Sequence, residues 1–195
     1  MMQKLTRDDL WSLEDYAKKR ADYRANVMAH KQPRHIALNE HANLYFEDRM
    51  TMQYQIQEML RIEKIFEEDG INEELSAYNP LIPDGKNLKA TFMLEYSDVN
   101  ERQSALAKLK GIEDKIWIQI EGCEKVYAIA DEDMERDNEE KTSAVHFMRF
   151  EFSDEMISSA KQGKAINMGS EHENMLAGLT PIPDASRNSL LADFD

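Results

Sequence analysis

Hydrophobic positions near the start of the chain follow the helical period and then change to alternation. Thr6, which acidic residues follow, is typical of a helix N-cap, and leucines and alanines spaced three or four apart predict a helix that extends to Arg20 or beyond. Pro33 ends this helical pattern. Apolar and polar residues then alternate over His35–Leu38 and Leu44–Phe46 around a polar turn, which predicts a β-hairpin.

The segment Asp48–Asp69 has the strongest helical pattern in the chain. Its apolar residues recur at intervals of three and four, and Gly70 follows in the position that a glycine takes after a helix C-terminus. Glu63 lies inside this apolar stripe. We therefore predict one long helix here, followed by a short second helix over Ile71–Ala77.

Alternation returns in the second half of the chain. It predicts strands at four segments, which are Leu88–Leu94, Ile116–Ile120, Lys125–Ala130 and Thr142–Phe152. Helical patterns cover Asp98–Lys110 and Ser153–Gln162, and a last short helix follows Pro183. Since hairpin-connected strands are mixed with helices, we predict an α+β fold. In it, an antiparallel sheet formed by a hairpin and a meander packs against a long central helix and several shorter helices.

The length and composition limit the class of protein. A chain of 195 residues that is 42% hydrophobic can bury one sizeable core, so we predict a single domain over 1–195. We expect the N-terminal helical region 1–30 and the C-terminal tail 169–195 to be loosely attached. The sequence has one cysteine and no apolar run long enough to cross a membrane, which excludes a disulfide framework and predicts no membrane span.

The charge balance limits the partners. A formal net charge of −14 argues against binding to nucleic acids, because phosphate contacts require clustered Lys and Arg. The start of the chain lacks the apolar stretch of a secretory signal, so we expect a cytoplasmic protein with a reduced Cys123. The acidic run Asp131–Glu140 lacks the glycine and glutamate positions of an EF-hand, so we predict a solvated loop or helix there.

Three residues, Glu63, His146 and Glu58, are candidates for a metal site. A carboxylate within an apolar stripe needs a partner, a proton or a cation, so Glu63 either pairs with Arg49 or Arg149 or binds a metal. His146 projects from the apolar face of its strand, where an imidazole is either a hydrogen-bonded core residue or a ligand. If the long helix docks on that face, Glu63 or Glu58 comes near His146, and such a site suits iron or manganese.

Signatures of other chemistry are missing from the sequence. It contains no nucleophile elbow, no dinucleotide-binding glycine pattern and no phosphate-binding loop. Its helices lack the Glu-x-x-His pair of ferritin-like di-iron proteins. Cys123 is flanked by Glu121 and Glu124, whose charges disfavour a thiolate. The residues therefore leave open whether the protein is an enzyme.

Three separated motifs carry a resemblance to a known family. They are Tyr54–Arg61, Tyr78–Gly85 and Glu140–Phe147, and through them nearly the whole chain resembles an uncharacterised bacterial family classed as a domain of unknown function. Members of that family are often encoded beside rubrerythrin-like proteins and iron–sulfur oxidoreductases of the heterodisulfide-reductase type. By association, the resemblance implies iron handling or peroxide defence, and it supplies no catalytic residues.

Three functions follow as hypotheses. The first is a non-catalytic accessory protein that binds a redox protein partner or a metal in an iron-dependent redox or peroxide-stress system, as the resemblance implies. The second is a metal-dependent enzyme in which Glu63 and His146 are ligands and Glu58 is a ligand or base. The third is a small-molecule binding module that uses the hydrophobic face of the sheet.

Overall fold

The structure is a computed structural model that describes residues 3–132 and 140–195, so most of the predicted acidic loop lies outside the described residues. The described helices are α1 (Leu13–Lys31), α2 (Arg49–Glu63), α3 (Glu68–Tyr78), α4 (Val99–Lys108), α5 (Asp154–Lys161) and α6 (Asp184–Leu191). None of these helices has the length and apolarity needed to cross a membrane. The strands are β1 (His35–Ala37), β2 (Ala42–Glu47), β3 (Asn87–Leu94), β4 (Ile116–Ile120), β5 (Lys125–Tyr127), β6 (Ile129–Ala130), β7 (Val145–Glu151), β8 (Ile166–His172) and β9 (Met175–Leu179).

The strands form two antiparallel sheets. One sheet has the order β1-β2-β3-β7-β6, and the other has the order β5-β4-β8-β9. Buried side chains from both sheets, joined by residues of α4, α5 and α6, form the main core, which includes Leu44, Phe92, Ile118, Phe150 and Met168. The predicted α+β class is confirmed, with the strands divided between two sheets.

Strand register decides which side chains of the five-stranded sheet face the core. β3 lies between β2 and β7, with Phe92 opposite His146 and Lys89 opposite Arg149. Successive side chains of a strand point to opposite faces of its sheet. Phe92 and His146 are both buried on the side of the main core. Lys89 and Arg149 therefore lie on the other side, which we call the outer face.

A second apolar cluster joins α2, α3 and the segment before α1. Its buried members are Leu5, Leu10, Met52, Ile56, Leu60, Ile71, Leu75 and Ile82. Asn79, which begins a short 3-10 turn over Asn79–Leu81, accepts a hydrogen bond of 2.8 Å from the Leu5 N–H and donates one of 2.9 Å to the Leu5 carbonyl. The N-terminal segment is thus fixed to this turn, whereas the sequence predicts a loosely attached region over 1–30.

The long helix predicted for Asp48–Asp69 is divided in two. α2 ends before Lys64, which adopts the left-handed conformation with φ of 57°. α3 begins soon afterwards, so Gly70 lies within α3 instead of following a helix end. A Cβ atom at Gly70 would lie 2.7 Å from Cγ2 of Ile65, so only glycine leaves room for Ile65 at this point. The packing of Ile65 beside α3 favours the break over a continuous helix.

Residues 169–195, for which the sequence predicts loose attachment, are integrated into the fold. β8 lies between β4 and β9 and contributes buried residues to the main core. Leu190 and Phe194 are also buried there. The apolar residues of this segment are separated by short polar runs, which explains why no long periodic pattern marked it in the sequence.

A buried arginine ties the end of the chain to the N-terminal half. Arg34 is 2% exposed, and its Nη2 lies 2.6 Å from Oδ2 of Asp193. Its guanidinium also donates to the backbone carbonyls of Phe46, Glu47 and Ser189, at 3.1, 3.1 and 3.3 Å. Because these acceptors come from β2 and α6, the arginine joins elements from both ends of the chain.

Candidate functional site

Glu58, one of the three predicted metal ligands, lies between α1 and α2. Arg20 donates to both of its carboxylate oxygens at 2.7 and 2.8 Å, and the Tyr16 hydroxyl donates at 2.7 Å. These hydrogen bonds, led by those from Arg20, lower the pKa of Glu58 to about 2. Both oxygens are therefore occupied by donors of the protein itself.

Glu63, the second predicted ligand, is exposed in the last turn of α2. The two arginines that the sequence offers as its partners bind elsewhere. Arg49 Nη2 lies 2.5 Å from Asp9, and Arg149 pairs with Glu132. The apolar stripe that the sequence predicts around Glu63 ends at Leu60, one turn earlier, because α2 ends at Glu63.

His146, the third predicted ligand, is fully buried and hydrogen-bonded through both ring nitrogens. Its Nδ1 lies 2.5 Å from Oδ2 of Asp131, and its Nε2 lies 2.9 Å from Oγ1 of Thr142 and 3.1 Å from the carbonyl of Ser143. Nδ1 can donate to the Asp131 carboxylate while Nε2 accepts from the Thr142 hydroxyl, so both ring nitrogens have partners. In this arrangement the imidazole is a satisfied core residue.

The structure does not bring the three predicted ligands together. Glu58 is at the contact of two helices, Glu63 is on the surface, and His146 is in the main core. Within 3–132 and 140–195, no group of three or more His, Cys, Asp or Glu side chains is arranged to hold a metal ion.

A cavity of about 400 Å³ lies between α3 and the outer face of the five-stranded sheet. The end of α3 and the 3-10 turn after it form one wall, and β3 and β7 form the other. Its lining residues are Ser76, Ala77, Pro80, Leu81, Lys89, Glu132, Phe147, Met148 and Arg149. Apolar side chains make up most of the walls, and the charged groups are confined to Lys89, Arg149 and Glu132.

Lys89 brings a half-buried cation to this cavity. Strand alternation directs it to the outer face, and its Nζ donates a hydrogen bond to the carbonyl of Pro80. Burial lowers the pKa of the Lys89 ammonium, because a charge is less stable away from water. An ammonium has three N–H donors. Among the described residues no carboxylate is in direct contact with Nζ of Lys89, although the charges of Asp84, Glu132 and Glu151 are near enough to oppose the lowering of its pKa.

Arg149, directly opposite Lys89 on β7, differs because its charge is matched. Its Nε and Nη2 donate to the two oxygens of Glu132, both at 2.9 Å, and Nη1 donates to Glu151. The hydrogen bonds from Arg149 lower the pKa of Glu132. The guanidinium thus forms part of the cavity wall, and Lys89 is the cation that has donors left for a ligand.

Sequence reasoning missed this site, although one signal for it was present. Alternation puts Lys89 on the side of its strand opposite Leu88, Ala90 and Phe92, and puts Arg149 on the side of its strand that carries Phe147. Their position directly opposite each other depends on the β3–β7 register, which the sequence does not show. Like charges that face each other across a sheet are unfavourable unless anions balance them. An opposed pair of cations would therefore have indicated a site for negative groups.

Comparison with known proteins supports the resemblance seen in the sequence. The chain is similar to a crystal structure of a novel protein of unknown function from Burkholderia pseudomallei K96243. The two share 50% sequence identity with a TM-score of 0.94, over 99% of this chain and 100% of the other. No curated protein matches the chain. The model of the family described as "Protein of unknown function (DUF3501)" matches residues 4–194. The chain therefore belongs to the DUF3501 family.

Proposed function

We propose that this protein is a binding protein for a small amphipathic anion, which it holds in the cavity between α3 and the outer face. The observation that carries this proposal is Lys89, a half-buried ammonium that lines the cavity and has no carboxylate of the described residues in direct contact with it. Keeping a cation there costs desolvation energy. A bound anion would offset that cost.

The dimensions and lining of the cavity support a small ligand. Its volume of about 400 Å³ lies within the range of roughly 300–1,000 Å³ that is usual for small-molecule sites. Phe147, Leu81 and Pro80 offer apolar surface, and Lys89 offers the donors that orient a negative group. A ligand with a carboxylate at one end and a hydrocarbon body would satisfy both parts of the cavity.

Two other functions, an accessory role and a metal-dependent enzyme, remain proposals. An accessory role beside a redox protein in an iron-dependent or peroxide-stress system is supported by the family resemblance alone. The metal-dependent enzyme needs Glu63, His146 and Glu58 in one site, and their separate surroundings do not favour it. The binding protein is the hypothesis that a specific group of side chains supports.

Ligand binding is tested with 8-anilinonaphthalene-1-sulfonate, an aromatic probe that carries one sulfonate. We expect its fluorescence to rise on binding to the full chain and to fall when octanoate competes. Octanol, which has a similar hydrocarbon body and no charge, should compete at least about tenfold more weakly, which corresponds to about 1.4 kcal/mol.

Two matched pairs of variants locate the site. Lys89→Met should weaken binding of octanoate about tenfold, whereas Lys86→Met, which removes an exposed cation paired with Asp154, should leave it unchanged. Ala77→Trp fills the cavity and should abolish binding, whereas Asn72→Trp on the exposed surface of α3 should not. Equal binding by Lys89→Met and Lys86→Met would refute the role of Lys89. Binding that survives Ala77→Trp would refute the cavity as the site.

A further inference from the structure

Within the part of the chain that the structure describes, the strand β9, Met175–Leu179, is an unpaired edge of the four-stranded sheet. It pairs with β8 on one side, and no described residue forms a ladder with its other side. The sequence of this strand is Met-Leu-Ala-Gly-Leu, which contains neither a charge nor a proline. Leu176 is 77% exposed, the highest value among the large apolar side chains of the described residues.

The other sheet edges are short or protected. β1 and β5 have three residues each and β6 has two, and β5 carries a lysine. β9 has five residues. Edges that must stay unpaired usually carry a lysine, a proline or a bulge. An apolar edge strand of five residues that has no charge and no proline indicates that another strand covers it.

Symmetry restricts how two copies of β9 can pair. In an antiparallel pair, alternate residues direct their backbone N–H and C=O groups toward the partner strand. A two-fold axis between two residues would place a residue whose N–H and C=O groups point toward the partner strand opposite one whose groups point away from it. The axis must therefore pass through a residue. An axis at Ala177 pairs the whole strand, since it places Met175 opposite Leu179 and Leu176 opposite Gly178 of the second copy.

This register also matches side-chain sizes. Leu176 and Gly178 are the two exposed residues of β9, so both lie on the solvent side of the sheet. Gly178 stands opposite Gly169 of β8, and the ring of Trp117 covers Gly169 so closely that a Cβ there would be 2.6 Å from Cζ2. Across the axis, each leucine would meet a glycine, which leaves a shallow depression bordered by the Trp117 ring.

The charges near β9 are compatible with this pairing. Two copies with a net charge of −14 each repel one another, so a contact must avoid opposed acidic groups. Glu171, beside the strand, is already bound by Lys125 and the Tyr127 hydroxyl. With the axis at Ala177, the position opposite Glu173 in the second copy is residue 181, which is a proline.

We infer that β9 is a homodimerisation edge, on which a second copy of this chain adds its own β9 antiparallel about a two-fold axis at Ala177. The two four-stranded sheets then form one continuous eight-stranded sheet across the dimer. Backbone hydrogen bonds provide the pairing, and the Leu176–Gly178 contacts set the register.

The test measures the mass of the full chain in solution by size-exclusion chromatography with light scattering, at concentrations up to about 100 μM. We expect the parent to have twice the monomer mass of 22.7 kDa. Leu176→Lys opposes the pairing with two added charges and should return the monomer mass. Ile62→Lys, which makes the same type of change at another exposed apolar residue on α2, should remain a dimer.

Hydrogen exchange provides a second readout that does not depend on a variant. The outward amides of β9 should be protected at high concentration and lose at least tenfold protection on dilution below the dimer dissociation constant. A monomeric parent would overturn the inference. So would a dimer that survives Leu176→Lys, a dimer lost equally in Ile62→Lys, or β9 amides whose exchange is independent of concentration.

Discussion

Replacement of Arg34 by methionine tests the buried ion pair with Asp193. Methionine keeps the length of the aliphatic stem and removes the guanidinium, whose donors reach Asp193 and three backbone carbonyls. Asp193 is 2% exposed, so its carboxylate would remain buried without a cation. Removing one partner of a buried pair costs about 3–5 kcal/mol. We expect Arg34→Met to lose that amount of unfolding free energy at pH 7.5.

The loss should depend on pH in a defined direction. Burial raises the pKa of Asp193 to about 6 even though Arg34 lies beside it. An acid whose folded-state pKa exceeds its unfolded value destabilises the folded state as pH rises through that folded-state pKa. Without Arg34 the pKa rises further. Above pH 6 the difference between variant and parent should therefore grow by at most about 1.4 kcal/mol per pH unit.

Urea unfolding at pH 5.5 and pH 7.5, followed by circular dichroism, measures both effects. Arg61→Met is the control, because Arg61 forms an exposed pair with Glu58 at 3.3 Å and should change stability by less than about 1 kcal/mol. Arg34→Met combined with Asp193→Asn should recover only part of the loss, since the Asp193 charge is then absent but buried Asp48, whose Oδ2 lies 3.5 Å from Arg34 Nη1, also loses its guanidinium partner. A loss below about 1 kcal/mol at pH 7.5, or an equal loss at both pH values, would refute this reasoning.

Three further predictions concern single positions. Lys64→Gly should raise the unfolding free energy by about 0.5–1 kcal/mol in urea titrations, because Lys64 holds a left-handed φ of 57° that glycine adopts without strain. Glu58→Gln should flatten the acid dependence of stability. The carboxylate, with a pKa of about 2, contributes roughly 1–3 kcal/mol that is present above pH 4.5 and is lost as pH falls toward 2. Gly169→Ala should cost about 1–3 kcal/mol by thermal unfolding, because its Cβ would lie 2.6 Å from the Ala177 carbonyl.

Each of these predictions has an outcome that contradicts it. The same lysine-to-glycine change at Lys18, within α1, should destabilise by about 1 kcal/mol, so equal effects at both positions would exclude the conformational explanation. Parallel acid unfolding curves for Glu58→Gln and the parent would exclude the Arg20 pair as a source of stability. An unchanged midpoint for Gly169→Ala would show that β8 and β9 move apart without cost.

Local patterns predicted most elements of the fold. The alternation in His35–Leu38 and Leu44–Phe46 corresponds to β1 and β2, which pair as a hairpin. Ser153, where the sequence predicts a helix to begin, is the N-cap of α5, and its side chain accepts a hydrogen bond from the Met156 N–H. These features depend on residues close together in sequence, so propensity and period suffice to find them.

Features that depend on contacts between distant residues were not predictable in the same way. Gly70 resembles a helix terminator, but α2 ends at Glu63 and Gly70 lies within α3, where Ile65 packs beside it. Glu63 lies within the period of an apolar stripe, but the period does not show where the covering elements end. Lys89 and Arg149 are far apart in the sequence and become neighbours only through the register between β3 and β7. The candidate site is therefore a product of tertiary structure, which explains why no motif indicated it.

The Arg34–Asp193 pair also affects the order in which the protein is made and folded. The two residues are 159 positions apart, so a growing chain exposes Arg34 to solvent or to chaperones long before its partner has been translated. Until then the guanidinium stays hydrated and lacks its acceptors Ser189 and Asp193. Closing so large a loop is slow, and a nascent chain that stops short of Asp193 remains open to proteases. The hydrogen bonds of Arg34 should therefore form only after residue 193 has been translated.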